Sequence, residues 1–175
     1  MGWQRRRKNC IWLGTLNDRR NNLESQIARS LAEIVHGKQT DKLGNPYMLH
    51  VLKVAFDVEH LGQDYYVVGL LHDAIEDAGE KKASIIDDIE FYFDDKIMDA
   101  LDALTKQKGE SYLHEYLPKV MQNKIAHAVK IADSSHNLSR NKYITDESVQ
   151  QRLRKKYVEG LSILGLTEKE INGLI

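Results

Sequence analysis

The stretch YYVVGLLHDAIED, residues 65–77, is the most apolar helical candidate in the chain and passes directly into charged side chains. We expect it to form a central helix, with Asp64 as its N-cap and its end near Asp77. The β-branched pair Val67-Val68 also suits a strand, but the segment continues into HDAIED without a break. The sequence therefore predicts a buried helix whose last turn is polar.

The polar end of this helix indicates a functional site. A His and an Asp on a buried helix cost free energy unless they are paired or bind a metal ion. The four-residue spacing is expected to place His72 over Glu76 and Asp73 over Asp77. Three carboxyl groups in one place repel each other, so a positive partner is required. A divalent cation would supply that charge, and a salt-bridge network with Lys or Arg is the alternative.

The rest of the chain has helical rather than strand periodicity. For example, Leu23, Ile27, Leu31 and Ile34 recur at spacings of three and four. The segment TEKE, residues 167–170, is typical of a capping box. We therefore predict one all-α domain of about eight helices. The predicted helices lie at residues 23–36, 46–61, 64–77, 84–92, 96–104, 112–122, 124–138 and 146–164, and from 167 onward.

The composition excludes several classes of protein. The chain has 175 residues, of which 42% are hydrophobic and 29% are charged. These values are typical of one soluble domain and exclude a disordered chain. The net charge of -1 excludes a generally basic nucleic-acid coat. The one cysteine, Cys10, allows no internal disulfide, and the apolar run at 10–13 is too short for a secretory leader or a membrane span. We expect a cytoplasmic protein without membrane attachment.

The first residues carry a cluster of basic side chains, including the run RRRK at 5–8. We interpret residues 1–20 as a basic, partly flexible N-terminal arm and residues 21–175 as the functional domain. The alternative is an arm that docks on nucleic acid or on a partner subunit, and binding to nucleic acid would be strongly salt-dependent. The oligomeric state stays open, because apolar residues of the last helices could pair subunits or close the core.

Two further positions can complete the site at the end of the central helix. His50 lies on the helix before it, and Asp133 lies late in the apolar segment IAHAVKIAD. With His72 and Asp73 they offer two imidazoles and two carboxylates from three helices. Such a mixed set suits Mn²⁺ or Fe²⁺, with Zn²⁺ also compatible and Mg²⁺ less apt. We interpret the remaining histidines as ordinary core residues: His36, His60, His114, His127 and His136.

An ordered set of motifs resembles one family. In chain order they are HGKQ (36–39), GNPYMLH (44–50), LLHDAIED (70–77), LTK (104–106) and KIADSSHN (130–137). The set resembles the HD-domain phosphohydrolases. Within them it is similar to the hydrolase domain of the bifunctional alarmone synthetase/hydrolases and to the stand-alone small alarmone hydrolases. The resemblance implies an all-α HD-domain fold. It also implies a hydrolase that removes the 3′-pyrophosphate from a nucleotide such as (p)ppGpp, releasing pyrophosphate.

The resemblance also implies roles for individual residues. One Mn²⁺, or another divalent transition metal, would be held by four residues: His50, His72, Asp73 and Asp133. The implied catalytic residues, which prepare the attacking water, are Glu76 and Asp77. The implied substrate-binding residues are Lys38, Lys42, Asn137 and Arg140. Further basic candidates are Lys106, Lys130 and Lys142. For each basic residue the alternative is a solvated surface side chain, and for Asn137 it is a helix C-cap.

Three positions depart from the family pattern. Asp41 stands where the family commonly has an Arg that packs on the guanine base, and Arg140 stands where the long members often have Thr. Val51 replaces the usual Pro. An Asp cannot stack as a guanidinium does, but it could accept a hydrogen bond from the amino group of guanine or adenine. The base therefore stays open, and an adenosine alarmone is an alternative substrate.

Two other functions remain open from the sequence. The first is another HD-type nucleotide phosphohydrolase or phosphodiesterase, which would release orthophosphate or a nucleoside. The second is a non-catalytic nucleotide-binding module with a structural metal ion. The pair Glu76-Asp77 argues against a binding module, because a purely structural metal site needs no carboxylates beyond those that bind the ion.

Overall fold

Ten α-helical segments follow one another in the part of the chain that the structure describes. The computed structural model describes residues 5–175, with side chains from residue 18 onward. The helices are α1 (Arg5–His36), α2 (Met48–Val58), α3 (Gln63–Leu71), α4 (Ala74–Asp77), α5 (Lys82–Tyr92), α6 (Asp95–Leu104), α7 (Leu117–Met121), α8 (Lys124–Arg140), α9 (Glu147–Ile163) and α10 (Glu168–Asn172). Within residues 5–175 the one strand-like pairing is an isolated bridge between Thr40 and Pro46. The predicted all-α class is confirmed.

Helix α3 lies at the centre of the core, as its apolar sequence predicts. Val68, Leu70 and Leu71 are fully buried, and the helix packs against α1, α2, α6 and α8. A Cβ at Gly69 would lie only 2.7 Å from the Cα of Ala55 in α2. The absence of a side chain at Gly69 therefore lets α2 and α3 pack backbone to backbone, which helps to bring the end of α3 close to the start of α2.

The start of α3 differs from the prediction. The helix begins at Gln63, directly after Gly62, whose φ of 128° lies in the region that favours glycine. Asp64 lies within the first turn, and its Oδ2 is 3.0 Å from Nζ of Lys96. The prediction of Asp64 as the N-cap is therefore wrong, because Gly62 sets the entry to the helix two residues earlier.

The end of α3 also differs from the prediction. The helix ends at Leu71, and the one-turn helix α4 begins separately at Ala74. Nδ1 of His72 is 2.8 Å from the carbonyl oxygen of Gly69. In an unbroken helix that oxygen would accept the N–H of Asp73. The His72 side chain thus competes with the backbone hydrogen bond, and the chain turns at His72 and Asp73. The predicted unbroken helix over 64–77 is wrong for this reason.

Most other helices lie near their predicted positions. Helix α2 begins at Met48, two residues after Pro46, and the segment predicted as a helix from 112 begins with a π-type turn, Tyr112–Tyr116, before α7. The capping box is confirmed, because the side chains of Thr167 and Glu170 each accept the other's backbone N–H. No helix in the described part of the chain is both long and apolar enough to cross a membrane.

The predicted N-terminal arm falls partly outside the described residues. Residues 1–4 are not described, nor are the side chains up to residue 17, and α1 begins at Arg5. The arm over 1–20 and its boundary with a domain over 21–175 stay predictions.

Candidate metal centre and active site

Three elements bring the four predicted metal ligands together. Nε2 of His50, from α2, lies 3.3 Å from Nε2 of His72 and 3.3 Å from Oδ1 of Asp133, from α8. Oδ2 of Asp73 lies 3.1 Å from Nε2 of His72. One ligand atom from each of His50, His72 and Asp133 falls within 4.8 Å of the others. A single metal ion could reach these three atoms, and Asp73 lies beside them through its contact with His72.

Hydrogen bonds on the far side of each imidazole turn its Nε2 towards the cluster. Nδ1 of His72 donates to the carbonyl oxygen of Gly69. Nδ1 of His50 lies 2.7 Å from Nδ1 of His136, so one of the two nitrogens donates to the other. Histidines that bind metals characteristically use their second nitrogen in this way, because the bond fixes the tautomer and the ring orientation. Both rings are therefore held with Nε2 facing the other candidate ligands.

The charges in the cluster also suit a cation. Burial lowers the pKa of His72, but the charges of Asp73 and Asp133 outweigh it and raise that pKa to about 9. Burial raises the pKa of Asp133, but the neighbouring Lys130 and His50 hold it well below its usual range. The phenol of Tyr47 donates a hydrogen bond to Oδ2 of Asp73. The protein thus stabilises positive charge among ionised carboxylates, and this donor set fits a divalent transition metal.

A cleft of about 370 Å³ opens from the cluster, and its lining includes three of the predicted substrate-binding residues. Lys42 comes from the loop before α2, whereas Asn137 and Arg140 come from α8. The amide of Asn137 donates to Oδ1 of Asp133, so it shares the face of α8 that carries the candidate ligand, as the spacing predicts. Lys38 is exposed and does not line the cleft.

The two predicted catalytic acids point in different directions. Glu76 lines the cleft, and its Oε1 accepts the backbone N–H of Lys106. Asp77 does not line the cleft, and its Oδ2 lies 3.8 Å from Nδ1 of the buried His36. The expected stacking of these acids on His72 and Asp73 assumed an unbroken helix, which the turn before α4 removes.

Sequence reasoning missed several residues of the cleft. His136, predicted as a core histidine, is only partly buried and lines the cleft behind His50. Its position three residues after Asp133 in KIADSSHN, about one helical turn further on, could have indicated that it lies near the site. Tyr47, Lys156 and Tyr157 also line the cleft. The last two come from α9, and no motif in the sequence indicated that this helix would contribute.

The other histidines and lysines divide between core and surface. His36 is buried as predicted, and Nε2 of the partly buried His127 is 2.8 Å from the carbonyl oxygen of Leu164. His60 and His114 are exposed, so their prediction as core residues is wrong.

The further basic candidates also differ in position. Lys130 pairs with Asp133 and lines the cleft, Lys106 contributes its backbone N–H to Glu76, and Lys142 is exposed outside the cleft.

Comparison with known proteins supports the resemblance expected from the motifs. No family model matches the chain. The chain is 30% identical over 142 residues to the GTP pyrophosphokinase of Streptomyces coelicolor, covering 74% of this chain and 16% of that protein. It is 26% identical over 146 residues to the guanosine-3′,5′-bis(diphosphate) 3′-pyrophosphohydrolase of Aquifex aeolicus. That match covers 78% of this chain and 20% of the Aquifex protein. The protein of the same name from Borreliella burgdorferi is 27% identical over 146 residues. That match covers 73% of this chain and 20% of the Borreliella protein.

A solved structure matches nearly end to end. It is described as a metazoan ortholog of SpoT that hydrolyzes ppGpp, and it matches 87% of this chain and 97% of its own, with a TM-score of 0.66 and 21% identity. The chain has the fold of that hydrolase. The HD-domain fold expected from the motifs is thereby confirmed. The chain spans about a fifth of the length of the curated relatives it matches.

Proposed function

We propose that the protein is a metal-dependent hydrolase that removes the 3′-pyrophosphate from an alarmone such as (p)ppGpp. The observation that carries the proposal is the convergence of His50, His72, Asp73 and Asp133 beside a cleft lined by cationic side chains. The names of the relatives and of the structural neighbour supply the substrate class. In the reaction, water adds to the 3′-linked phosphorus and the 3′ O–P bond breaks. The products are pyrophosphate and a nucleotide with a free 3′-hydroxyl.

We propose Mn²⁺ as the resident ion, because two imidazoles and two carboxylates form a donor set of intermediate softness. A bound divalent ion lowers the pKa of a water ligand towards neutrality and offsets negative charge on the substrate. Neighbouring groups of the chain hold the side chains that would bind this ion. His72 is held by the Gly69 carbonyl, and Asp133 is held by Lys130, whose Nζ lies 2.8 Å from Oδ2.

Glu76 is the proposed general base. Its Oε1 is held by the backbone N–H of Lys106, and the residue lines the same cleft as Asp73. An oriented carboxylate of this kind can take a proton from the attacking water. Asp77 lies beside His36 instead, so we propose that it acts indirectly, by supporting the wall of the site.

Cations along the cleft would bind the phosphates. Lys42 and Lys156 line it from different elements, and Nζ of Lys156 lies 4.5 Å from the centre of the Tyr112 ring. A polyanionic substrate needs such partners in addition to the metal.

We also propose that the enzyme is cytoplasmic, because a nucleotide substrate and a chain with one cysteine both fit that compartment.

The test is product analysis with 3′-pyrophosphorylated guanosine and adenosine nucleotides, each with Mn²⁺ and with a chelator. We expect pyrophosphate release that requires the metal. Release of orthophosphate or of a nucleoside would instead indicate another HD-type phosphohydrolase. If metal-loaded protein turns over neither substrate, the proposal is wrong and a binding role is favoured.

A further inference from the structure

We propose that Asp41 is a positioning residue: its ion pair with Arg140 holds the guanidinium at the nucleoside end of the cleft, where Arg140 contacts the substrate's base rather than its phosphates. Nη2 of Arg140 lies 2.8 Å from Oδ2 of Asp41, and both residues line the cleft. This inference rests on the proposed function and adds a specificity-determining pair to it.

The carboxylate of Asp41 is already committed to the protein. Its Oδ1 accepts the backbone N–H groups of Leu43 and Asn45, at 2.8 and 2.9 Å. Its Oδ2 is the atom that pairs with Arg140. Burial raises the pKa of Asp41, but these hydrogen bonds and the guanidinium lower it more, so the carboxyl stays ionised. Asp41 is therefore poorly placed to read an amino group of the base directly, and Arg140 is the member of the pair left to face the substrate.

The loop that holds Asp41 is itself closed by backbone bonds. The backbone N–H of Asp41 donates to the carbonyl oxygen of Asn45, and that of Gly44 donates to the carbonyl oxygen of Asp41. Gly44 has a φ of 80°, which this tight turn requires and which glycine adopts without strain. The ion pair therefore joins a pre-formed loop to the end of α8, and the guanidinium is held from a rigid base.

The position of Arg140 on α8 sets its distance from the metal centre. Asp133, Asn137 and Arg140 follow at spacings of four and three, so they share one face of the helix. Seven residues correspond to a rise of about 10 Å. When the 3′-pyrophosphate lies at the metal, that distance places Arg140 near the nucleoside part of the substrate.

Charge decides which part of the nucleoside end suits the pair. The pair carries no net charge, so its attraction for a phosphate is weak, and a phosphate beside it would also be repelled by Asp41. Lys42 and Lys156 carry net positive charge into the same cleft and suit the phosphates better. A guanidinium whose charge is offset by a carboxylate suits a flat, uncharged partner such as a purine, on which it can stack.

The test is a double-mutant cycle of Asp41→Asn and Arg140→Gln, with ppGpp and its 5′-monophosphate counterpart as substrates. Asn keeps an oxygen that can accept the two loop N–H groups, so the loop is retained while the ion pair is lost. We expect either single variant to raise KM about tenfold, equivalent to 1.4 kcal/mol, with kcat nearly unchanged. The rise should be equal for both substrates. In the Arg140→Gln background, Asp41→Asn should change KM by less than about twofold, because coupled residues are not additive.

Matched controls are Asp99→Asn and Arg154→Gln, which change exposed residues that do not line the cleft. A lower KM in Asp41→Asn would overturn the inference, because it would mean that the carboxylate merely repels a polyanion. A KM effect of Arg140→Gln that depends on the number of 5′-phosphates would also overturn it, as would additive effects of the two substitutions. If the unchanged protein releases no pyrophosphate from either substrate, the proposed function itself fails, whereas turnover with KM unaltered by Arg140→Gln refutes this inference alone.

Discussion

Replacing Glu76 with Gln should abolish most turnover while leaving the metal centre occupied. Oε1 of Glu76 accepts the backbone N–H of Lys106, and the carbonyl oxygen of a Gln side chain can accept the same bond. The side chain should therefore keep its place, while the group that takes the proton becomes an amide. None of the four candidate ligands is changed, so metal affinity should stay close to that of the unchanged protein.

The expected size of the effect follows from the role of a general base. Positioned acid–base groups contribute roughly 10²- to 10⁴-fold to rates, which corresponds to about 3–5 kcal/mol of the activation barrier. We therefore expect kcat to fall by at least about 100-fold, with a much smaller change in KM. Asp77→Asn should lower kcat by less than about tenfold, because Asp77 lies beside His36 and not in the cleft.

The assay is pyrophosphate release under saturating substrate, together with metal content measured on the same preparations. Glu90→Gln, at an exposed position on α5, is the matched control and should behave as the unchanged protein. A kcat for Glu76→Gln close to that of the control would refute the reasoning. Loss of metal in that variant would show that Glu76 is a ligand rather than a base. An equal fall in Asp77→Asn would show that both acids act on the water.

Three further predictions concern stability. Gly69→Ala should destabilise the fold by about 1–3 kcal/mol in denaturant unfolding, because the new Cβ would lie 2.7 Å from the backbone of Ala55; an unchanged midpoint would contradict the close packing of α2 and α3. Asp146→Ala removes the N-cap that accepts the N–H of Val149, a bond that holds the pKa of Asp146 below its ordinary 3.8. The cap needs the ionised carboxylate, so the loss in Tm should be present near neutral pH and should shrink as the pH falls below about 4; a constant difference would argue against the cap. A chelator should lower Tm by roughly 5–10 °C, since a ligand at 100 times its Kd stabilises by about 2.7 kcal/mol; adding Mn²⁺ should restore it, and an unchanged Tm on loss of the metal would contradict a metal centre built into the fold.

Much of the candidate site could be predicted from residue types alone. His72, Asp73 and Asp133 each occur at the end of an apolar helical run, where an ionisable side chain is costly without a partner. That cost is visible in the sequence, because periodicity reports which face of an element is buried. The structure brings these three residues and His50 together, and the helical class and the Thr167 capping box are confirmed.

The different positions of Glu76 and Asp77 were not predictable in the same way. Their spacing from His72 and Asp73 suggested one continuous helical face. The chain turns instead, because the imidazole of His72 takes the Gly69 carbonyl. A side chain that competes with its own backbone leaves no trace in hydrophobic periodicity, since both outcomes contain the same residues.

The sequence by itself determined the class of the fold and the identity of the candidate metal ligands, because burial and charge conflict within single helices. Only the tertiary structure decided which other groups meet them. His136 reaches His50 across 86 residues of chain, Lys156 enters from α9, and Arg140 pairs with Asp41. Contacts of this kind depend on how helices pack against one another, and local spacing along the chain carries no record of that packing.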